Sequence, residues 1–111
     1  MWRPFDNGST LATVGSEGGP IVRDEEHDLG ARITLEQQCR FAPFAITCGL
    51  YGWFFHTCFF AGREEAEGTY DAMRAEIGRI AALLGEDPVD SGEARRQVLQ
   101  SISQFVERFP T

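Results

Sequence analysis

Twenty-two consecutive residues, Phe41 to Gly62, contain no Asp, Glu, Lys or Arg. A charge-free stretch of that length suits a membrane helix, which needs about 20 apolar residues. Pro43, Gly49 and Gly52 break the run, however, and His56 would have no partner in lipid. The tract therefore reads as a buried hairpin rather than a span. The N-terminus, "MWRPFDNGST", lacks an apolar core region and is not read as a signal peptide. Asn7-Gly8-Ser9 fits the glycosylation triplet, but without a secretion signal it reads as a turn. Basic charge is scarce: ten bases against seventeen acids leave a net charge of −7. That balance opposes nucleic acid and anionic lipid, which both need cationic surface, and suits solubility or a basic protein partner. Three cysteines cannot all pair within one chain, and their apolar settings predict reduced, buried thiols and a cytoplasmic protein. Neither C-x-x-C nor H-x-x-x-H spacing occurs, so no metal ligand set and no cofactor are assigned. Repeats and low-complexity tracts are absent.

What is present suffices for one core. At 111 residues the chain is most simply a single domain, 1–111. A domain of that length buries roughly 65% of its unfolded surface. Nine Phe, two Trp and two Tyr exclude a disordered chain. Most of these aromatics lie in residues 1–62, and the remainder of the chain follows helical spacing. Ala66, Tyr70, Met73, Ile77, Ile80 and Leu84 form one apolar stripe at helical steps, with Gly85 placed to end the helix and Pro88 to prevent continuation. Asp90 with Glu93 reads as a capping box for a second helix. Its stripe is Ala94, Val98, Ile102, Phe105 and Phe109, widened by Leu99 and Val106, and Pro110 closes it.

The first half reads as strands. "PIVRDEEH" and "ARITLEQQ" flank His27-Asp28-Leu29-Gly30. Taken as a four-residue loop, this places Asp24 opposite Ile33 and Val22 opposite Leu35, with Glu25 against Arg32 and Arg23 against Thr34 on a solvated face. A short earlier strand is expected near residues 10–14, after which "GSEGG" (15–19) forms a turn. That loop lacks the Lys-Ser/Thr ending of a phosphate-binding loop. Trp2, Pro4 and Phe5 are expected to dock on the core. "APFAITC" and "WFFHTCFF" form a second hairpin around "GLYG". Its strands are apolar on both faces, so both faces need cover: the helices on one, and the N-terminal segment, a partner subunit or a ligand on the other. An even loop puts Cys48 on the face of Trp53, Phe55 and Phe59, whereas an odd loop gathers Cys48, His56 and Cys58. Spacing leaves that choice open.

The predicted fold is α+β: an antiparallel meander sheet of four to five strands over residues 10–60, with a C-terminal antiparallel helical hairpin (63–85 and 91–109) on one face. The candidate binding residues are Asp24, Glu26, Trp53, His56, Cys58 and Tyr70. In the four-residue-loop register Asp24 is a partly buried carboxylate that needs a donor from Arg40, Arg63 or a backbone amide. His56 and Cys58, two apart on one strand, form the best base–nucleophile pair available, yet phenylalanines surround the thiol. The expected function is non-enzymatic binding or regulation through protein–protein contacts, with a homodimer and a basic protein as the partners considered. Two alternatives stand beside it: a small-molecule or metal pocket near Trp53, His56 and Tyr70, and an enzyme using His56 with Cys58 or Asp24.

Overall fold

A computed structural model describes residues 1–85 and 92–111. Five antiparallel strands form one sheet in sequence order: β1 (Trp2–Pro4), β2 (Ile21–His27), β3 (Ala31–Gln37), β4 (Phe44–Leu50) and β5 (Phe54–Phe60). Two helices, α1 (Arg63–Leu84) and α2 (Gly92–Arg108), pack against one face. The charge-free tract is thus β4, a tight turn and β5, and no helix among the described residues is long and apolar enough to cross a membrane. The first strand lies at residues 2–4. Residues 10–14 instead form turns with an isolated bridge between Val14 and Pro20, and they meet the start of β2 through main-chain hydrogen bonds of Ala12 and Thr13 to Ile21.

Side-chain alternation sorts the sheet into two unlike faces. Ala31, Ile33 and Leu35 of β3 lie beside Leu50, Cys48 and Ile46 of β4, and all six are buried with the α1 stripe. Ala66, Tyr70, Met73, Ile77 and Ile80 are fully buried, as the helical spacing requires. Gly85 ends α1 with φ +64°, a conformation that glycine adopts without strain. Trp2 docks its indole on α1, where the hydrogen of Gly78 leaves room: a Cβ there would sit 3.1 Å from Trp2 Nε1. Val98, Ile102 and Phe105 form the buried side of α2, continued by Phe109 just past its end, while Leu99 and Val106, expected to widen that stripe, are exposed. The Asp90 cap and Pro88 lie outside the described residues.

The β2–β3 loop has three residues, Asp28 to Gly30, not four. His27 pairs with Ala31, and Gly30 takes φ +95° while donating its N–H to the His27 carbonyl. A left-handed glycine in third place is the conformation that closes three-residue hairpins. The one-residue change moves the β2 side chains from Arg23 to His27 to the other face. Glu25 now faces Ile33 and Asp24 faces Thr34, correcting the expected Asp24–Ile33 register. A bulge at Val22 restores the alternation beyond it, so that Ile21 pairs with Glu36.

The stripe on α1 is the element whose loss costs most. Ile77→Ala should lower unfolding free energy by about 2–5 kcal/mol, because a fully buried side chain leaves a cavity in close-packed surroundings. Urea titration followed by circular dichroism measures the change, and a value within experimental error of zero contradicts the packing described.

Candidate functional site

The face away from the helices carries the polar residues Asp24, Arg32, Thr34, Glu36, Thr47 and Thr57. Buried polar groups need partners, and β3 together with the segment between β1 and β2 supplies them. Asp24, 3% exposed, accepts from Arg32 Nε at 3.0 Å and Nη2 at 2.7 Å, from Thr34 Oγ1 at 3.0 Å and from Thr10 Oγ1 at 2.8 Å. The donor is therefore Arg32 with two hydroxyls, not Arg40 or Arg63. The Arg32 guanidinium also lies over the Phe5 ring, 3.5 Å from its centre.

Glu36 is fully buried on the same face. The "GSEGG" loop wraps its carboxylate: the Glu17 N–H lies 3.0 and 3.3 Å from the two oxygens, and the Gly19 N–H lies 3.2 Å from Oε1. The fit admits no side chain. A Cβ on Gly15 would lie 2.4 Å from Glu36 Cδ, and one on Gly19 would lie 2.1 Å from the Gln37 carbonyl oxygen. The glycine loop is thus an anion cradle, as well as a turn, and its anion is the protein's own glutamate. Burial pushes the Glu36 carboxyl up, although the Gly19 and Glu17 amides act in the opposite sense.

Between this strap and β5 lies a groove of about 240 Å³. Thr34, Thr47 and Gly49 line it between Gly15 and Ser16 on one side and Tyr51 and Phe55 on the other. Gly49 faces Phe55 across the strand pair, and a Cβ there would meet the Phe55 ring at 2.6 Å. Phe55 nonetheless remains 70% exposed and Tyr51 52% exposed, their rings edge-on at 6.4 Å. Phe41 and Val14 are also exposed large apolar side chains.

The β4–β5 turn has three residues, Tyr51 to Trp53, so the odd loop is the one adopted. Cys48 sits opposite His56, with Cys58 next along on the helix face. His56 Nε2 contacts the Phe109 carbonyl oxygen, and the Cys58 thiol donates to that oxygen at 3.2 Å. Both side chains thereby anchor the end of α2. Burial pushes the Cys58 thiol up to about 11 and raises Cys48 further, so both are neutral at physiological pH. All three cysteines are free, and no group of three or more metal-ligating side chains forms among the described residues.

The other candidates are separated from this pair. Tyr70, buried under the sheet, donates to Glu25 at 2.9 Å, beside Arg74 at 3.0 Å from the same carboxylate. Burial and the Glu25 charge raise the Tyr70 hydroxyl, which keeps it a donor. Glu26 pairs with Arg3 at 3.2 Å at the hairpin end. Trp53 lies in the β4–β5 turn with Arg95 5.4 Å from its ring. Of the six candidates, only His56 and Cys58 meet. The residues that sequence reasoning passed over are Arg32, Glu36, Tyr51 and Phe55. The signal for Glu36 was an acid at the same parity as Arg32 and Thr34 within "ARITLEQQ".

Comparison with family models, curated proteins and solved structures finds no match to this chain.

Two predictions test the buried carboxylates. Asp24→Ala should destabilise by about 2–4 kcal/mol, since Arg32 is left without its partner in a half-buried setting. Glu36 carries the opposite pH signature from an ordinary ion-paired acid. Its raised native value means that the folded state holds the proton more tightly. The resulting stability is present below the ordinary glutamate value and is lost as pH rises through the raised one. The stability of the wild type relative to Glu36→Gln should therefore grow as pH falls through that window. Urea midpoints for both proteins across about pH 4–8 would show converging curves, and parallel curves contradict the assignment.

Proposed function

We propose that the protein is a non-enzymatic binding domain whose groove between the glycine strap and β5 receives an apolar segment of a partner protein. The observation that carries this reading is the exposed pair Tyr51 and Phe55 beside a floor of Thr34, Thr47 and Gly49. Aromatic side chains held at a surface by a rigid sheet are the usual anchors of protein interfaces. Hydroxyls that can orient a backbone line the groove, from Thr34, Thr47 and Tyr51. The chemistry available elsewhere supports binding rather than turnover. Asp24 and Glu36 are saturated by donors, and His56 and Cys58 hold a backbone carbonyl. A net charge of −7 favours a partner that is basic outside the apolar contact, through faster encounter and rejection of acidic competitors.

A photo-reactive phenylalanine analogue placed at Tyr51 in the full chain, in its native cells, tests the reading. The expected result is a covalent adduct with a different protein, absent when the analogue replaces exposed Leu83 on α1. Phe55→Ala should remove that adduct with little change in melting temperature, because the ring is mostly solvated. No adduct from position 51, or the same adduct from position 83, overturns the proposal.

A further inference from the structure

β5 is the last strand of the sheet, and among the described residues it pairs only with β4. An edge strand presents a row of unpaired amides and carbonyls, which proteins normally protect with charge, proline, a bulge or a short length. β5 has none of these. It runs seven residues, "FFHTCFF", in unbroken register, with no charged side chain from Phe41 to Gly62. Only Cys58 of the seven is fully buried.

The order of residues in this strand is symmetrical about Thr57. Phe54 mirrors Phe60, Phe55 mirrors Phe59, and His56 mirrors Cys58. A two-fold axis through Thr57 would therefore set each Phe opposite a Phe in an antiparallel pair. Self-complementarity of this kind is what a two-fold interface demands, because one patch must fit its own copy.

A second border runs beside the first. On α2, Arg108 reaches Glu76 of α1 at 3.9 Å, while Arg95 lies over Trp53 at the start of β5. These arginines mark opposite flanks of the helix. At about 100° per residue, Leu99 and Val106 fall within about 40° of Arg95. They are thus on the flank turned away from α1, and they are 45% and 38% exposed. An unpaired strand edge and an unpartnered apolar helix flank lie along the same side of the molecule.

The geometry points to a second copy of this chain as the occupant of that side, joined through β5–β5 pairing centred on Thr57, with the two α2 helices meeting above it. The sheet becomes ten strands, continuous across the axis. Phe59 of the partner subunit falls opposite Phe55 on the groove face and extends the groove's outer wall. Electrostatics permit this approach. Two bodies of net charge −7 repel, yet β5 itself brings no like charges together, since the strand carries no acid or base. Area requires more than the strand edge. Stable interfaces bury about 800 Å² per partner, which a seven-residue edge alone does not reach. The α2 flank and the paired phenylalanines enlarge the contact toward that size.

Sedimentation velocity of the full chain at micromolar concentration should show a dimer. Thr57→Lys sets two ammonium groups opposite each other at the axis and should weaken dimerisation by about a hundredfold or more, with an unchanged circular dichroism spectrum. Thr57→Cys, in a Cys39→Ser background, reads the register without relying on that variant. Residues paired across antiparallel strands lie about 4.5–5.5 Å apart, within disulfide reach. Mild oxidation should therefore cross-link Thr57→Cys rapidly between chains, and Phe55→Cys much more slowly. A wild-type monomer, a dimer indifferent to Thr57→Lys, or equal cross-linking at both positions overturns the assignment.

Discussion

Two hairpin loops of odd length govern which side chains in this protein meet. In an antiparallel pair, successive residues face opposite sides, so adding or removing one loop residue exchanges the faces of a whole strand. With Asp28 to Gly30 as the β2–β3 loop, Glu25 faces the helices and meets Tyr70 and Arg74, while Asp24 turns to the far face and meets Arg32. With Tyr51 to Trp53 as the β4–β5 loop, Cys48, His56 and Cys58 all face the helices, and Phe55 faces the groove. The core, the buried ion pair, the anchor for α2 and the aromatic wall all follow from these two loops. Gly30, at φ +95°, fixes the first of them, because few side chains tolerate that conformation.

The second sheet face shows how a small domain covers a sheet on both sides without a third layer of regular structure. Residues 5–20 cross it mostly as turns, and turns carry backbone groups that must be satisfied. The face answers with Glu36, which takes the Glu17 and Gly19 amides, and with the main-chain bonds of Ala12, Ile21 and Gln37 at the margin. A buried carboxylate is costly, and the raised Glu36 value records that cost. In exchange, the strap gains an anchor that only a glycine-rich segment can approach closely. The polar character of this face is thus a consequence of covering a sheet with irregular chain. The cover stops over β3, and the groove opens from Thr34 across β4 to Phe55.

The parts of this architecture legible in the sequence were those that repeat. The α1 stripe from Ala66 to Ile80 recurs over several turns, so its period survives local exceptions. The charge-free tract read as paired strands because Pro43, Gly49 and Gly52 break a membrane-length helix and the apolar faces elsewhere in the chain needed cover. What was not legible depended on single residues or on distant ones. "HDLG" fits a three- or a four-residue loop by composition, and the difference lies in whether His27 pairs. Glu36 and "GSEGG" are separated by most of β2 and β3, so nothing local identifies them as anion and cradle. Leu99 and Val106 read as part of the α2 stripe because periodicity reports which flank is apolar, not whether anything covers it. His56 and Cys58 lay on one strand face, as alternation requires, but their shared partner is a backbone carbonyl at the far end of the chain.

The aromatic character of β5 has to serve three surfaces at once. Phe54 packs edge-on against Phe105 at 5.6 Å, closing the core beneath α2. Phe55 turns the other way, onto Gly49 and the groove. The strand's outer edge carries the remaining demand, since unpaired backbone flanked by phenylalanine is the arrangement soluble proteins most consistently avoid. A charged residue on the groove face would protect the edge but spoil the groove's wall, and one on the helix face would be buried beside Phe105. Most positions on the strand could not take a gatekeeping charge without loss to the core or to the groove wall. Pairing with a second copy is the protection proposed above, and a strand whose phenylalanines are placed symmetrically about Thr57 is suited to it. Core, groove and edge are in this sense one constraint, written into seven uncharged residues.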